Sequence, residues 1–420
     1  MPSAPRPETS PAPEPVNGDI VTRLHLAVAL NGAGWHPAAW RAHGAQPDRL
    51  FAPRYWADLA GEAERGLIDF VTIEDELGLQ SAAFHRPDDR TDQVRGRLDA
   101  VLLAAHLAPL TSRIGLVPTT NVTHTEPFHL STAIASLDHA SHGRAGWRPQ
   151  ITSRAADAYH FGRRTTPVLT DEDVQDTELI ARRLRPLFGE AADVVEAVRR
   201  LWDSWEDDAE IRDAATGRFI DRDKVHHIDF AAEHFSIRGP SITPRPPQGQ
   251  PLVAVLAHAS TPYELAARAA DVVFITPRSR ADTTRILGQV DKAVATVGRT
   301  SDEPLKAFAD LVVFLDEDSG AAARCKRRLD ELDGAALGSD AHIFCGTPGE
   351  LAELLTDWSG AGLDGFRLRP GVLPHDLALI TTRLVPELQR RAAFRTAYGS
   401  PTLRGLLGLP RPASRYAATG

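Results

Sequence analysis

Short apolar, β-branched runs recur along this chain, and between them apolar residues return every three or four positions. Eight runs read as strands: Arg23–Leu30, Ile68–Glu74, Arg113–Thr119, Gly143–Arg148, Leu252–Leu256, Asp271–Thr276, Lys306–Leu315 and Gly365–Arg369. Phe70-Val71-Thr72-Ile73 and Val272-Val273-Phe274-Ile275 are nearly continuous apolar stretches, as strands buried on both faces of a parallel sheet require. Helical periodicity fills the gaps at Tyr55–Gly66, Gly96–Leu107, Phe128–Ala140, Pro262–Ala270, Ala281–Val297, Gly320–Leu332 and Pro348–Gly360. The first of these ends in Arg65-Gly66, a basic last turn followed by a glycine stop. Alternating βα units with eight strands predict an α/β protein, a (β/α)8 TIM barrel. An open doubly wound sheet is the alternative, weakened because no Gly-x-Gly-x-x-Gly follows the first strand.

The spacing is uneven. About a hundred residues separate the fourth and fifth strand patterns, too many for a single crossover. Residues 149–250 are therefore expected as an insertion over the barrel mouth. It holds a strong helix at Glu190–Trp205, a polar segment at Glu206–Lys224 and the Pro-rich turn Pro244–Gly249. Residues 1–18, rich in Pro, Ala and Glu, are expected as a disordered tail. Residues 19–410 are expected as the barrel domain and 411–420 as a C-terminal tail.

Composition narrows the class. A length of 420 residues suits one barrel with insertions, and a net charge of −9 argues against a nucleic-acid or membrane-surface partner. No apolar run is long enough to span a bilayer, and the N-terminus lacks the pattern of a secretory signal. Cys325 and Cys345 form neither a metal spacing nor a disulfide framework, which points to the cytoplasm. His139 and His142 run into Gly143, and His226 and His227 are adjacent, so no required metal is expected.

The segment Ser136-Leu137-Asp138-His139-Ala140-Ser141-His142-Gly143-Arg144-Ala145-Gly146-Trp147 resembles the LDHLSGGRAGWN signature of the bacterial-luciferase-like flavin-dependent monooxygenase superfamily. The branch is that of the nitrilotriacetate, EDTA, dibenzothiophene-sulfone and long-chain alkane monooxygenases. Tyr55–Phe70, Leu201–Ala209, Phe235–Pro240, Pro244–Gly249 and Val385–Thr396 are similar to further family segments, in the family's order. The resemblance implies an FMN-dependent two-component monooxygenase, a cytoplasmic flavoprotein. Reduced FMN and O2 would be co-substrates, with a separate NAD(P)H flavin reductase as partner and a small organic molecule as substrate. It implies a homodimer or homotetramer.

The resemblance also assigns site residues. Asp75 matches an acid beside the flavin; on position alone it reads equally as an exposed loop acid. Thr119 and Asn121 match a hydroxyl-rich turn near the ring, although Asn121 stands where Ser is usual. His124 is a candidate catalytic group facing substrate, with Asp75; its plain alternative is a solvated loop histidine. Arg148 replaces a flavin-contacting Asn, and its fork suits either an anion or a salt bridge to the insertion. After strand five the family's Ala-Gly-Ser-Ser phosphate loop is replaced by Leu256-Ala257-His258-Ala259. His258, Ala259, Ser260 and Thr261 then form either a phosphate cradle at a helix starting at Pro262 or a helix cap only. The family's Arg-Tyr pair before the insertion helix is Leu187-Phe188 here. Two other functions stay open: a deazaflavin-dependent oxidoreductase and a non-catalytic ligand-binding barrel.

Overall fold

The computed structural model describes residues 24–417 apart from 82, 84, 300 and 302; the expected tail at 1–18 lies outside the described residues. Eight parallel strands close into a barrel: β1 (His25–Leu30), β2 (Phe70–Ile73), β3 (Gly115–Asn121), β4 (Gly146–Gln150), β5 (Leu252–Leu256), β6 (Val272–Ile275), β7 (Lys306–Leu315) and β9 (Gly365–Pro370). Pairing runs in that order, and β9 returns to β1. β8 (His342–Gly346) lies outside the ring and pairs with the second half of β7. The expected (β/α)8 fold is the observed one.

Period-two alternation sorts the side chains. Outward residues such as Val71, Trp147, Phe366 and Leu368 pack against the helices. Inward residues Ala27, Phe70, Val117, Ala254, Phe274 and Phe308 fill the lower barrel, which Leu403 and Leu407 plug from below. The same alternation continues upward as Thr72 and Glu74, Thr119, Arg148, Asp310, then Arg367 and Arg369, so the upper barrel is polar.

The Gly143–Trp147 turn shows why its glycines are needed. Gly143 has φ +85°, a left-handed conformation that disfavours a side chain. At Gly146 an added Cβ would lie 2.8 Å from Val117 Cγ2. The strand consequently begins at Gly146, not at Gly143. Arg144 stays in the turn and is 2% exposed. Its guanidinium donates to Ser141 O, Ile114 O and Ala108 O, each at 2.8 Å, and to Thr111 Oγ1 and O at 2.9 and 3.0 Å.

The insertion is built on one long helix, Thr177–Asp203, which starts earlier than the periodicity suggested and carries Pro186 inside it. Leu187 and Phe188 thus lie within the helix rather than before it. Trp202 crosses Trp147 edge-on at 6.2 Å and donates from Nε1 to Ser131 O at 3.1 Å, which docks the helix on the barrel. Residues 411–417, expected as tail, run along this helix: Arg415 Nη1 donates to Glu196 at 2.8 Å, and Tyr416 stacks on His226. Among the described residues no helix is long and apolar enough to cross a membrane. Burial pushes the free thiols of Cys325 and Cys345 up, disfavouring the reactive thiolate.

Candidate functional site

Catalytic groups of this fold gather where the strands end, at the C-terminal mouth. Here the mouth is crossed by a continuous ionic chain. Arg148 Nε donates to Thr119 Oγ1 at 2.9 Å, and its Nη2 donates to Glu74. Arg367 Nη1 reaches Glu74 Oε1 and Thr72 Oγ1, both at 3.3 Å, while its Nε donates to Asp310 Oδ1 at 2.8 Å. Arg369 shares Asp310 and extends to Asp340 at 2.7 Å. Phe274 lies under the Arg367 guanidinium at 4.1 Å, so the apolar lower barrel passes directly into the charged layer.

Three guanidiniums meet three carboxylates in this layer. Burial alone would push Glu74 up, but Arg148, Arg367 and Arg369 reverse that and hold its carboxyl below the ordinary range. Asp340 is held low by Arg369 and by His258 in the same way, against burial. Burial pulls Arg148 down, and its neighbours Arg367 and Arg369 add to that. The three guanidiniums are thus matched by three carboxylates, and the layer is charge-balanced as it stands.

The residues singled out in the sequence are distributed unevenly. Thr119 and Arg148 are in direct contact. Arg148 pairs with Glu74 of the barrel, not with the insertion as one reading held. His258 is exposed at the end of β5, near Asp340 at the far end of the chain of charges. Asp75 is turned elsewhere: its oxygens accept from Glu76 N at 2.8 Å and Ala100 N at 3.0 Å, at the start of the Ala100–Leu107 helix. Burial raises its carboxyl. Asn121 Oδ1 accepts from Thr123 N and His124 N, both at 3.0 Å, and so shapes the turn after β3. It lines a cavity of about 190 Å³ with Glu76, Gln150, Thr152 and Asp157.

His124 lies across that turn, in a second cavity of about 230 Å³ beneath the insertion, with Arg164, Glu190 and His234. It stacks on Phe161 at 5.1 Å, and burial followed by Arg164 lowers its pKa, favouring the neutral ring. The loop after β5 also differs from expectation. The helix opens at Ser260, so Pro262 is its third residue rather than its first. Ala259 at the cap has no side chain to accept from the first N–H groups. That leaves a ten-residue helix presenting free amides beside the mouth, and these fit a phosphate.

Sequence reasoning missed Glu74, Asp310, Arg367, Arg369 and Asp340. A signal existed for Glu74, Arg367 and Arg369: polar residues spaced two apart at the ends of strands, inward when the next apolar residue is outward. Asp310 is instead a lone acid inside the apolar run Lys306–Leu315. Asp340 precedes the extra strand β8, and no such pattern marks it.

A family model described as luciferase-like monooxygenase matches residues 33–329. N-acetyl-S-(2-succino)cysteine monooxygenase from Bacillus subtilis (strain 168) is 30% identical, covering 94% of this chain and 98% of that protein. Nitrilotriacetate monooxygenase component A from Aminobacter aminovorans is 31% identical, covering 94% and 98%. In fold the chain is similar to EDTA monooxygenase from Chelativorans sp. BNC1, with TM-score 0.77, 22% identity, and 93% and 99% of the two chains covered.

Proposed function

Because the chain belongs to the luciferase-like monooxygenase family, we propose that it is the oxygenase of a two-component system, using reduced FMN and O2 to oxidise a small organic substrate. The observation that carries this reading is the mouth itself: the Arg148 guanidinium on the Thr119 hydroxyl at strand ends, next to an uncapped helix N-terminus.

The residues present fit FMN. The amides of Ser260 and Thr261, with the exposed His258 ring N–H, would take the phosphate, since a helix N-terminus favours an anion. Thr119, Asn121 and Arg148 would lie toward the ring, where Arg148 favours negative charge. Bound reduced FMN supplies the electrons that activate O2. The chain's own part is to hold the ring, admit the substrate and exclude water, and the insertion anchored through Trp202 is placed for the last task. Neither His124 nor Asp75 contacts the ionic chain; His124 would act at the edge of this site from the cavity beneath the insertion, while Asp75 is engaged by the backbone at the start of the Ala100–Leu107 helix.

Dependence on a separate NAD(P)H flavin reductase is supported by the lack of a dinucleotide fingerprint after the first strand. The cytoplasm, where thiols stay reduced, suits the two free cysteines, and a homodimer or homotetramer is the proposed assembly. The test is anaerobic titration with reduced FMN followed by admission of O2 in the presence of a flavin reductase. Saturable binding and oxygen incorporation into a small organic acid or sulfur compound are expected. Binding of reduced deazaflavin in place of FMN would replace this reading with hydride transfer.

A further inference from the structure

Arg369 is the member of the ionic chain whose bonding is incomplete. It is 2% exposed, yet its Nε has no hydrogen-bond partner. Its two carboxylate partners are unlike each other. Asp310 is fully buried inside the barrel and is shared with Arg367, so it belongs to the framework. Asp340 sits on the loop before β8, with 36% of its side chain exposed. It meets Arg369 through both oxygens, at 2.7 and 3.2 Å, and its carboxylate also accepts from Ser339 Oγ at 3.3 Å and from the Ala341 backbone N–H. Trp35 covers the guanidinium from the β1 loop, its ring centroid 4.9 Å away.

A planar guanidinium with one fixed and one rim-exposed carboxylate is a site for carboxylate exchange. The fork accepts any carboxylate in the same two-point geometry. The fixed partner keeps the fork oriented, and the exposed partner regains water when it moves, which with the incoming carboxylate offsets its lost pairing to Arg369. With Asp340 displaced, Arg148, Arg367 and Arg369 face only Glu74 and Asp310, so the layer gains one uncompensated positive charge, matched by one incoming carboxylate. His258, which faces Asp340, would steady it once displaced.

We propose that Arg369 anchors a carboxylate of the substrate and that Asp340 occupies its place in the unliganded enzyme. The substrate class is then a small organic acid, held by its carboxylate at the β9 side of the mouth with its oxidisable part turned toward the barrel axis. This deepens the monooxygenase reading and rests on it for the word substrate; the anchor itself is a binding claim.

The test uses the full chain and three probes: succinate, nitrilotriacetate and the uncharged succinamide, followed by calorimetry, with reduced FMN titrated separately under anaerobic conditions. The two acids should bind saturably and succinamide should not. Arg369→Met should weaken acid binding by about tenfold or more while reduced FMN affinity stays within about twofold. Asp340→Asn should strengthen acid binding severalfold, because the competing carboxylate is gone and a larger fraction of the protein is binding-competent. If Arg369→Met does not fold, the Asp340→Asn result decides alone, since its sign is opposite to that of structural damage. Equal binding of succinamide, or weaker acid binding in Asp340→Asn, overturns the proposal. Loss of reduced FMN affinity in Arg369→Met with acid binding intact also overturns it and assigns the anchor to the flavin phosphate. Acid binding with these variant effects but without any FMN binding supports the anchor and overturns the flavin reading.

Discussion

Both ends of this barrel bury charge, and they do it differently. At the bottom, Asp69, Asp271 and Asp364 each stand just before a strand and accept from a backbone N–H of the adjoining strand: Leu26 at 2.8 Å, Val253 at 2.7 Å and Ala307 at 2.9 Å. Arg144 likewise spends most of its donors on carbonyls. These acids also pair with side chains, Asp69 with His25 and Arg395, Asp271 with Arg199 and Arg404, and Asp364 with Lys306, but the backbone bond ties each of them to one place. At the mouth, Glu74, Arg148, Arg367, Asp310, Arg369 and Asp340 are bonded mainly to one another, side chain to side chain, with one donor left over and one acid at the rim. The contrast teaches that an added bond to the backbone of an adjoining strand, not burial or ion pairing, separates a structural charge from an exchangeable one.

Four measurements break or sharpen this contrast. The largest effect is expected from Arg144→Met, which strands four buried carbonyls; it should lower unfolding free energy by about 3–5 kcal/mol in urea. A loss under about 1 kcal/mol would erase the distinction between the two ends. Glu74→Gln at the mouth should cost less, about 2–3 kcal/mol, because Arg367 keeps Asp310 and Arg148 keeps Thr119. It should also raise affinity for small carboxylates, which a bottom variant should not do.

Asp138 tests the bottom through pH. Burial pushes its carboxyl up to about 6, despite hydrogen bonds from Gln248 and Ala145. Between about pH 4 and 6 the folded chain therefore binds a proton that the unfolded chain has released, so this residue's contribution to stability falls as pH rises through that window, by about 1–3 kcal/mol. Comparing Asp138→Asn with the parent chain by denaturation at several pH values should show the slope removed in the variant. An unchanged slope would mean that its hydrogen bonds outweigh burial. The smallest effect is expected from Asp364→Ala. This acid has a side-chain exposure of 33%, and water can replace it at Ala307 N, so a loss of about 1 kcal/mol is expected. A loss as large as that of Arg144→Met would show that exposure does not relieve these fastenings.

Much of this was legible in residue order alone. All eight barrel strands were found because buried parallel strands need continuous apolar runs, and β4 was displaced only because Gly143 takes a left-handed turn that no propensity distinguishes from a strand start. The periodicity places the long helix from Glu190, where its buried face begins, yet the helix runs through Pro186 and Gly189 from Thr177, with its first turns largely at the surface. Thr119, Arg148 and the loop at His258 are candidates from the resemblance alone; the structure brings the first two into contact and leaves His258 exposed near Asp340.

What the sequence by itself determined is the alternation of strands and helices, the turn that admits β4, and the inward or outward parity of each strand residue. Only the tertiary structure decided which inward charges meet. Arg367 and Glu74 are 293 positions apart, and they touch because the barrel closes β9 against β1 beside β2. Parity is local and follows from backbone geometry; partnership depends on ring closure, which no segment of the chain encodes alone.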